Sequence, residues 1–132
     1  MRFMRTRPAL VMTTLLALPL LAACTDTPAS PDLTIDPIHV DSLDVVVGAG
    51  VPVAVEAHVQ GVVGDGCSVV HSVKQERSGS TVTITILRER PTEAICTQLA
   101  RLYDARIPLE GAFSPGAFLV RANGVERAFT IP

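Results

Sequence analysis

The strongest constraint on what this chain can fold into is a period of two in its apolar residues. Val51, Val53, Val55, Ala57 and Val59 alternate with Pro52, Ala54, Glu56, His58 and Gln60. Successive side chains of a strand point to opposite faces, so this run predicts a half-buried strand with one polar face. Before it, Ile38–Val47 is a β-branched stretch that stops at Gly48-Ala49-Gly50, a turn signal. After it, Gly61–Gly66 reads as a loop too rich in glycine for regular structure. Its glycine spacing is followed by neither a helical pattern nor a lysine, which argues against a phosphate-cradling loop.

The next two runs, Cys67–Arg77 and Ser80–Arg90, flank Ser78-Gly79 and predict a hairpin. A loop of even length sets Val73 opposite Ile84 and His71 opposite Ile86. An odd loop turns the apolar residues away from one another, because a slip of one residue flips every side chain. The even loop places Val82, Ile84 and Ile86 on one inward face with Cys67, Val69, His71 and Val73. Thr81, Thr83 and Thr85 then line the outside. Thr92–Leu99 predicts a short helical turn or crossover and Arg106–Leu109 a short strand. Ser114-Pro115-Gly116 is a turn, since Pro presets φ and Gly accepts φ > 0. Asn123-Gly124 is the sharpest two-residue hairpin signal in the chain, between Ala117–Ala122 and Val125–Ile131. About seven short strands at these intervals predict an all-β fold, an antiparallel immunoglobulin-like β-sandwich. With no Trp, and Phe113, Phe118, Phe129 and Tyr103 as its aromatics, the core must be mainly Val, Ile and Leu.

The N-terminus has a different composition. Arg2, Arg5 and Arg7 precede an apolar run from about Ala9 to Leu21, with no acidic residue. A basic start, a short apolar segment and a small-residue site define a secretory signal, and the run is short of the roughly 20 residues a bilayer span needs. Leu21-Ala22-Ala23-Cys24 resembles the lipobox of bacterial lipoproteins. The resemblance implies cleavage before Cys24 and a diacylglycerol thioether on its sulfur. Several acyl chains anchor durably where one alone is marginal. Thr25, where Asp would direct inner-membrane retention under the family's sorting rule, favours the outer membrane or cell surface. Pro28, Pro31 and Pro37 among Thr, Ser and Asp predict an extended tether, with a first edge strand of the domain beyond Leu33 as the alternative. The organisation expected is thus a signal at 1–23, lipidated Cys24 with its tether at 24–37, and the sandwich at 38–132.

Removal of the signal takes away three Arg, leaving 8 basic against 13 acidic residues, a net −5. That balance argues against nucleic acid and anionic lipid surfaces as partners. Cys67 and Cys96 remain, and an exporting compartment favours one disulfide between them. The alternative, a thiolate metal site, needs further ligands, and His39, His58 and His71 are scattered.

Gly66-Cys67, Thr81–Ile84, Arg90-Pro91, Ala94-Ile95-Cys96, Ile107-Pro108-Leu109, Pro115-Gly116 and Val120–Gly124 together resemble a group of small bacterial lipoproteins with a single immunoglobulin-like domain of unknown function. The resemblance spans about Val51–Ile131 and implies the Cys67–Cys96 bridge and the sandwich. It implies no activity.

For chemistry the sequence offers little. His71 falls on an apolar face, where a satisfied core histidine is the better reading, and His58 sits on a polar face beside Glu56 and Gln60. Asp65, between two glycines, is the acid to test first, because loops at sandwich ends often carry function. No paired carboxylates, cofactor motif or metal-ligand spacing stands out. The expectation is therefore a non-catalytic binding or structural module, held to membrane lipid through Cys24 and facing an envelope protein or glycan. An exported protease inhibitor, presenting Gly61–Gly66 or Arg90–Cys96, is the alternative.

Overall fold

A computed structural model describes residues 29–132, so the signal and Cys24 lie outside the described residues. Eight strands follow one another: β1 (Leu33–Pro37), β2 (His39–Val47), β3 (Val55–Gly64), β4 (Val69–Ser78), β5 (Thr81–Pro91), β6 (Arg101–Pro108), β7 (Gly116–Ala122) and β8 (Val125–Ile131). They form two sheets. β2-β3-β6 make a three-stranded sheet, and β1, β4, β5, β7 and β8 make the other, in which β5 pairs with β4, β1 and β7. The sandwich expectation holds, with eight strands for about seven. One departure from a wholly antiparallel arrangement is that β5 and β7 run parallel, Thr81 opposite Leu119 through Ile84 opposite Ala122.

The inner faces supply the core. Val55, Ala57, Val59 and Val63 of β3 meet Val82, Ile84 and Ile86 of β5, and Val120 and Ala122 of β7, all buried. This core is almost wholly β-branched or small, which suits side chains packed on pleated surfaces. At one end Phe113, Phe118 and Phe129 close it, with ring centroids 5.2–5.9 Å apart. Arg77 lies over the Phe113 ring at 4.6 Å and donates from Nη1 to the Ala112 carbonyl at 2.7 Å.

Several boundaries differ from the expected ones: β3 starts at Val55 and not at Val51, Val51–Ala54 being loop, and β6 starts at Arg101, five residues before the expected Arg106. Three further differences have a local reason. β3 continues through the glycine-rich stretch to Gly64, since Gly61 is needed where β2 passes: a Cβ there would collide with the His39 carbonyl. The first strand starts inside the Pro-rich segment. Leu33–Pro37 pairs with Leu87–Pro91, and the chain crosses to the other sheet at Ile38, whose N–H bonds the Ile86 carbonyl at 3.1 Å. The β4–β5 turn is Gly79-Ser80, one residue later than Ser78-Gly79, with Ser78 opposite Thr81. Gly79, at φ 60°, takes the first central position that a type II′ turn reserves for glycine. The register therefore slides by two, Val73 facing Ile86, and keeps its parity.

One site placement is corrected outright. A bulge between Val70 and Ser72 reverses parity towards the start of β4. Val69 and His71 accordingly leave the inward face, and His71 Nδ1 lies 2.6 Å from Glu89 Oε2 on the exposed side. Thr92–Ala100 contains no helix and runs as an irregular loop.

Candidate functional site: the tether end of the sandwich

The end opposite the Phe cluster gathers most of the residues singled out in the sequence. On the inner face of β5, the positions after Ile84 and Ile86 are Arg88 and Arg90. Two cations thus stand where further core residues would go, and partners must come from neighbouring elements. Asp65, in the β3–β4 turn, supplies one. Its Oδ2 accepts from Arg90 Nε at 2.8 Å, and its Oδ1 accepts from the Cys67 N–H at 3.1 Å and the Ser68 hydroxyl at 3.0 Å. Foremost among the causes, Arg90 holds the Asp65 carboxyl below the usual range, with the Ser68 and Cys67 donors assisting against a smaller desolvation effect. Ser68 is fully buried. Arg88 donates from Nη1 to the Val63 carbonyl at 3.1 Å and lies 3.7 Å from Asp36 of β1, while its buried Nε has no partner. Gly64 is obligatory beside this group: its φ is 147° and a Cβ would strike Arg88 Nη1 and the Ser68 hydroxyl.

Cys67 and Cys96 are joined, with Cα atoms 5.5 Å apart. Both are half-buried rather than core residues. Asp65, Cys67 and Cys96 offer atoms close enough to hold a cation. Their sulfurs are spent on each other, however, and a disulfide sulfur is not the thiolate a zinc site uses. The bridge instead clamps the loop between β5 and β6. At its start, the Thr92 N–H bonds the Asp32 carbonyl at 2.9 Å, and the Thr34 and Thr92 hydroxyls are 3.2 Å apart. Further on, the Gly66 N–H bonds the Thr97 carbonyl at 2.9 Å, and Gly66 sits so close that a Cβ would meet the Thr97 hydroxyl. Between those clamps Glu93, Ala94 and Ile95 arch outward, and Ile95 is fully exposed at 103%.

The remaining histidines lie on open sheet surfaces. His58 Nε2 is 2.7 Å from Asp104 Oδ1, and Gln60 donates to Asp104 Oδ2 at 3.0 Å while accepting from Ser42 at 3.1 Å. Gln60 first, then His58, lowers the Asp104 pKa. Ser42 reaches Gln60, not His58, so this row is a hydrogen-bonded ladder across β2, β3 and β6 and lacks a base-activated nucleophile. At the Phe-closed end, Val46, Gly48, Ala54 and Glu56 line a shallow hollow.

Sequence reasoning singled out Asp65, Cys67 and Cys96 but not their shared cluster with Arg88 and Arg90. The signal available was parity: two arginines in phase with Val82, Ile84 and Ile86 announce a polar plug at one end of the core.

Residues 57–131 match the family described as the ORF11 beta-sandwich domain. The chain belongs to that family. The match runs from β3 to the last strand, so the ORF11 β-sandwich domain includes the Asp65 turn, both half-cystines and the arched loop. Relatives in Herpetosiphon aurantiacus are an uncharacterised 10.2 kDa protein in the HgiCIIM 5' region, 29% identical over 92 residues, 70% of this chain and 98% of that one. Another is an uncharacterised 10.2 kDa protein in the HgiBIM 5' region, 30% identical over 80 residues, 61% of this chain and 98% of that one. No solved structure matches the chain.

Proposed function

We propose that this ORF11 β-sandwich protein is a lipid-anchored protein of the cell envelope whose domain is a non-catalytic binding or structural module. The observation that carries the reading is the fate of the three cysteines. Cys67 and Cys96 are paired with each other, a bond typical of exported proteins, and Cys24 is left over behind a basic and then apolar leader. An odd cysteine at Leu-Ala-Ala-Cys is where a lipoprotein takes its diacylglycerol. Thr25 favours the outer membrane or cell surface. The non-catalytic part is supported by the state of the acids and bases described above: Asp65 is saturated by three donors, and His58 and His71 each face a carboxylate on an open strand surface.

The experiment is fractionation of cells producing the native chain and Cys24→Ser, with intact mass of each. The native chain should pellet with membranes and carry a diacylglycerol adduct, and Cys24→Ser should lack the adduct and lose tight attachment. An unmodified native Cys24 refutes the anchor. Crosslinking in intact envelopes then identifies the module's partner.

One observation favours the inhibitor alternative: an extended arch, fully exposed at Ile95 and fixed by a disulfide at the next residue, has the preorganisation that a protease-blocking loop needs. Gly61–Gly64 is strand and drops out as a candidate. Stoichiometric titration of proteases with a preference for aliphatic residues decides the matter, since an inhibitor abolishes activity near one equivalent.

A further inference from the structure

Among the described residues, four large apolar side chains are at least 75% exposed, and three of them lie in or just after the arched loop, the fourth being Val51 at the far end of the strands, near the less exposed Val46 and Val47. Ile95, Leu99 and Leu102 are 103%, 75% and 79% exposed, the first two in the arched loop and Leu102 at the start of β6, which follows it. Leu33 at the start of β1 and Val69 at the start of β4 are also exposed, and both lie at the same end, opposite Pro91 and Glu89 of β5. Strand parity turns Leu33, Val69 and Leu102 outward, and beneath the arch Arg88, Arg90 and Asp65 occupy the space that Ile95 and Leu99 would need to turn in. Ile95 and Leu99 on the arch, with Leu102 just beyond it, form the apolar group at this end, and such groups mark interaction surfaces.

The length of sequence between this end and Cys24 bears on what that surface meets. Asp32 is fixed against Thr92 by its carbonyl. Seven residues lie between it and Cys24, so eight Cα-to-Cα steps connect the two. At most about 3.6 Å per residue, they reach roughly 29 Å. An acylated Cys24 therefore lies within that distance of Asp32, whose carbonyl is bonded to the first residue of the arched loop. We infer that Ile95, Leu99 and Leu102 dock the domain end-on to the lipid surface, inserting into the headgroup region while the acyl chains supply the anchor. This rests on the lipid-anchor reading above. Charge specifies the surface further. Arg90 is paired with Asp65 and Arg88 lies near Asp36, which leaves exposed Asp32, Glu93 and Arg101 with an excess of one negative charge. Docking should accordingly be on zwitterionic lipid, and anionic lipid should weaken it.

The absence of Trp from the chain gives a clean test. The full lipidated protein carrying Ile95→Trp is reconstituted into phosphatidylcholine vesicles, with and without bromine on the acyl chains. Leu99→Trp serves as a second reporter in case a ring at the arch tip disturbs it. Val51→Trp is the control, fully exposed in the loop before β3 at the far end of the strands. Expected is a blue-shifted emission, quenched by brominated chains, for Ile95→Trp and Leu99→Trp, and a water-exposed, unquenched emission for Val51→Trp. Adding phosphatidylserine should reduce the quenching. Vesicle-bound protein whose two loop reporters stay water-exposed overturns the docking and leaves the anchor standing. A blue shift without bromine quenching overturns it in favour of contact between copies of the chain. A mass without acyl groups on Cys24 refutes the anchor itself, and the docking falls with it.

Discussion

Asn123 was legible as a turn residue, and the structure gives it a second task whose removal has a calculable cost. It lies at φ 42° with Gly124 at φ 94°, both left-handed, as the two-residue turn between Ala122 and Val125 requires. On the edge of β5, partner β7 ends opposite Ile84 and partner β1 ends opposite Leu87, leaving a gap at Ile86. The Asn123 amide fills it. Oδ1 accepts the Ile86 N–H at 3.0 Å, and Nδ2 donates to the Ile86 carbonyl at 2.8 Å and the Ile38 carbonyl at 3.0 Å. Ile86 is fully buried, and its carbonyl also takes the Ile38 N–H, so the groups orphaned by losing the amide are the Ile86 N–H and the Ile38 carbonyl. An orphaned buried donor costs about 1–3 kcal/mol and a lost neutral bond about 1. Asn123→Gly, which keeps the turn conformation, should therefore destabilise by about 2–4 kcal/mol. Asn123→Ala adds the left-handed penalty of about 1–2 kcal/mol. Asn123→Asp keeps the acceptor but aims a carboxylate oxygen at two carbonyls. Its penalty should be full at pH 7 and shrink as acidification protonates the group. Urea titration of the purified chain with far-UV circular dichroism reads all three. If Asn123→Gly costs under about 0.5 kcal/mol, within the range of an ordinary surface change, the gap-filling argument is wrong. If Asn123→Ala matches Asn123→Gly, the turn argument is wrong.

Other expectations are simpler. Ile84→Ala, at a fully buried central position, should cost about 2–5 kcal/mol by the same titration, while Ile95→Ala should stay within about 0.5. Cys67→Ser with Cys96→Ser releases a 29-residue separation and should cost about 3–4 kcal/mol in the chain-entropy account, with no further loss on adding reductant. Asp65 has a lowered folded-state pKa, so its contribution is present above the ordinary carboxylate range and lost as pH falls through the folded value. Asp65→Asn should then be less stable at neutral pH and show a flatter acid limb below about pH 4, read from melting temperatures across pH. Gly66→Ala drives a methyl into the Thr97 hydroxyl and should raise proteolytic nicking within Thr92–Ala100 while the core melts nearly unchanged.

How far the fold could be read follows from what kind of signal each element carries. Alternation is local, so β3, β5, β7 and β8 were visible from the sequence, as were the faces of Val82, Ile84 and Ile86. The Asn123-Gly124 hairpin was visible because its residues specify their own φ. The bulge at His71 was not, because nothing in Val69–Val73 distinguishes a bulged strand from a straight one. The strand at Leu33–Pro37 was legible only as an alternative to a tether, because the prolines around it favour an extended, unpaired segment. Pro37 nonetheless sits at the strand's last position, at the edge where the chain changes sheets, a place that tolerates a missing N–H. Parallel pairing of β5 with β7 is a long-range fact, set by the passage of β6 through the other sheet, and no local pattern announces it.

The same distinction explains the most informative part of the molecule. A strand that continued Val82-Ile84-Ile86 with two more aliphatic residues would extend the core to the end of the sandwich and draw the following loop in over it. β5 ends instead with Arg88 and Arg90 on that face. Each cation must recruit acceptors, and they come from β1, the end of β3 and the Asp65 turn, so the plug ties together three segments distant in sequence. Covering it with the apolar residues of Thr92–Ala100 would strip water from partly exposed ions, which costs more than burying an isoleucine returns. The loop is consequently held off the plug, fixed by a disulfide and backbone bonds in place of packing, with Ile95 and Leu99 turned outward. Replacing Arg88 by Met tests this order of causes: a relaxed loop that folds inward should protect Ile95→Trp fluorescence from a soluble quencher in detergent, and unchanged exposure would show that the clamps alone set the loop's direction.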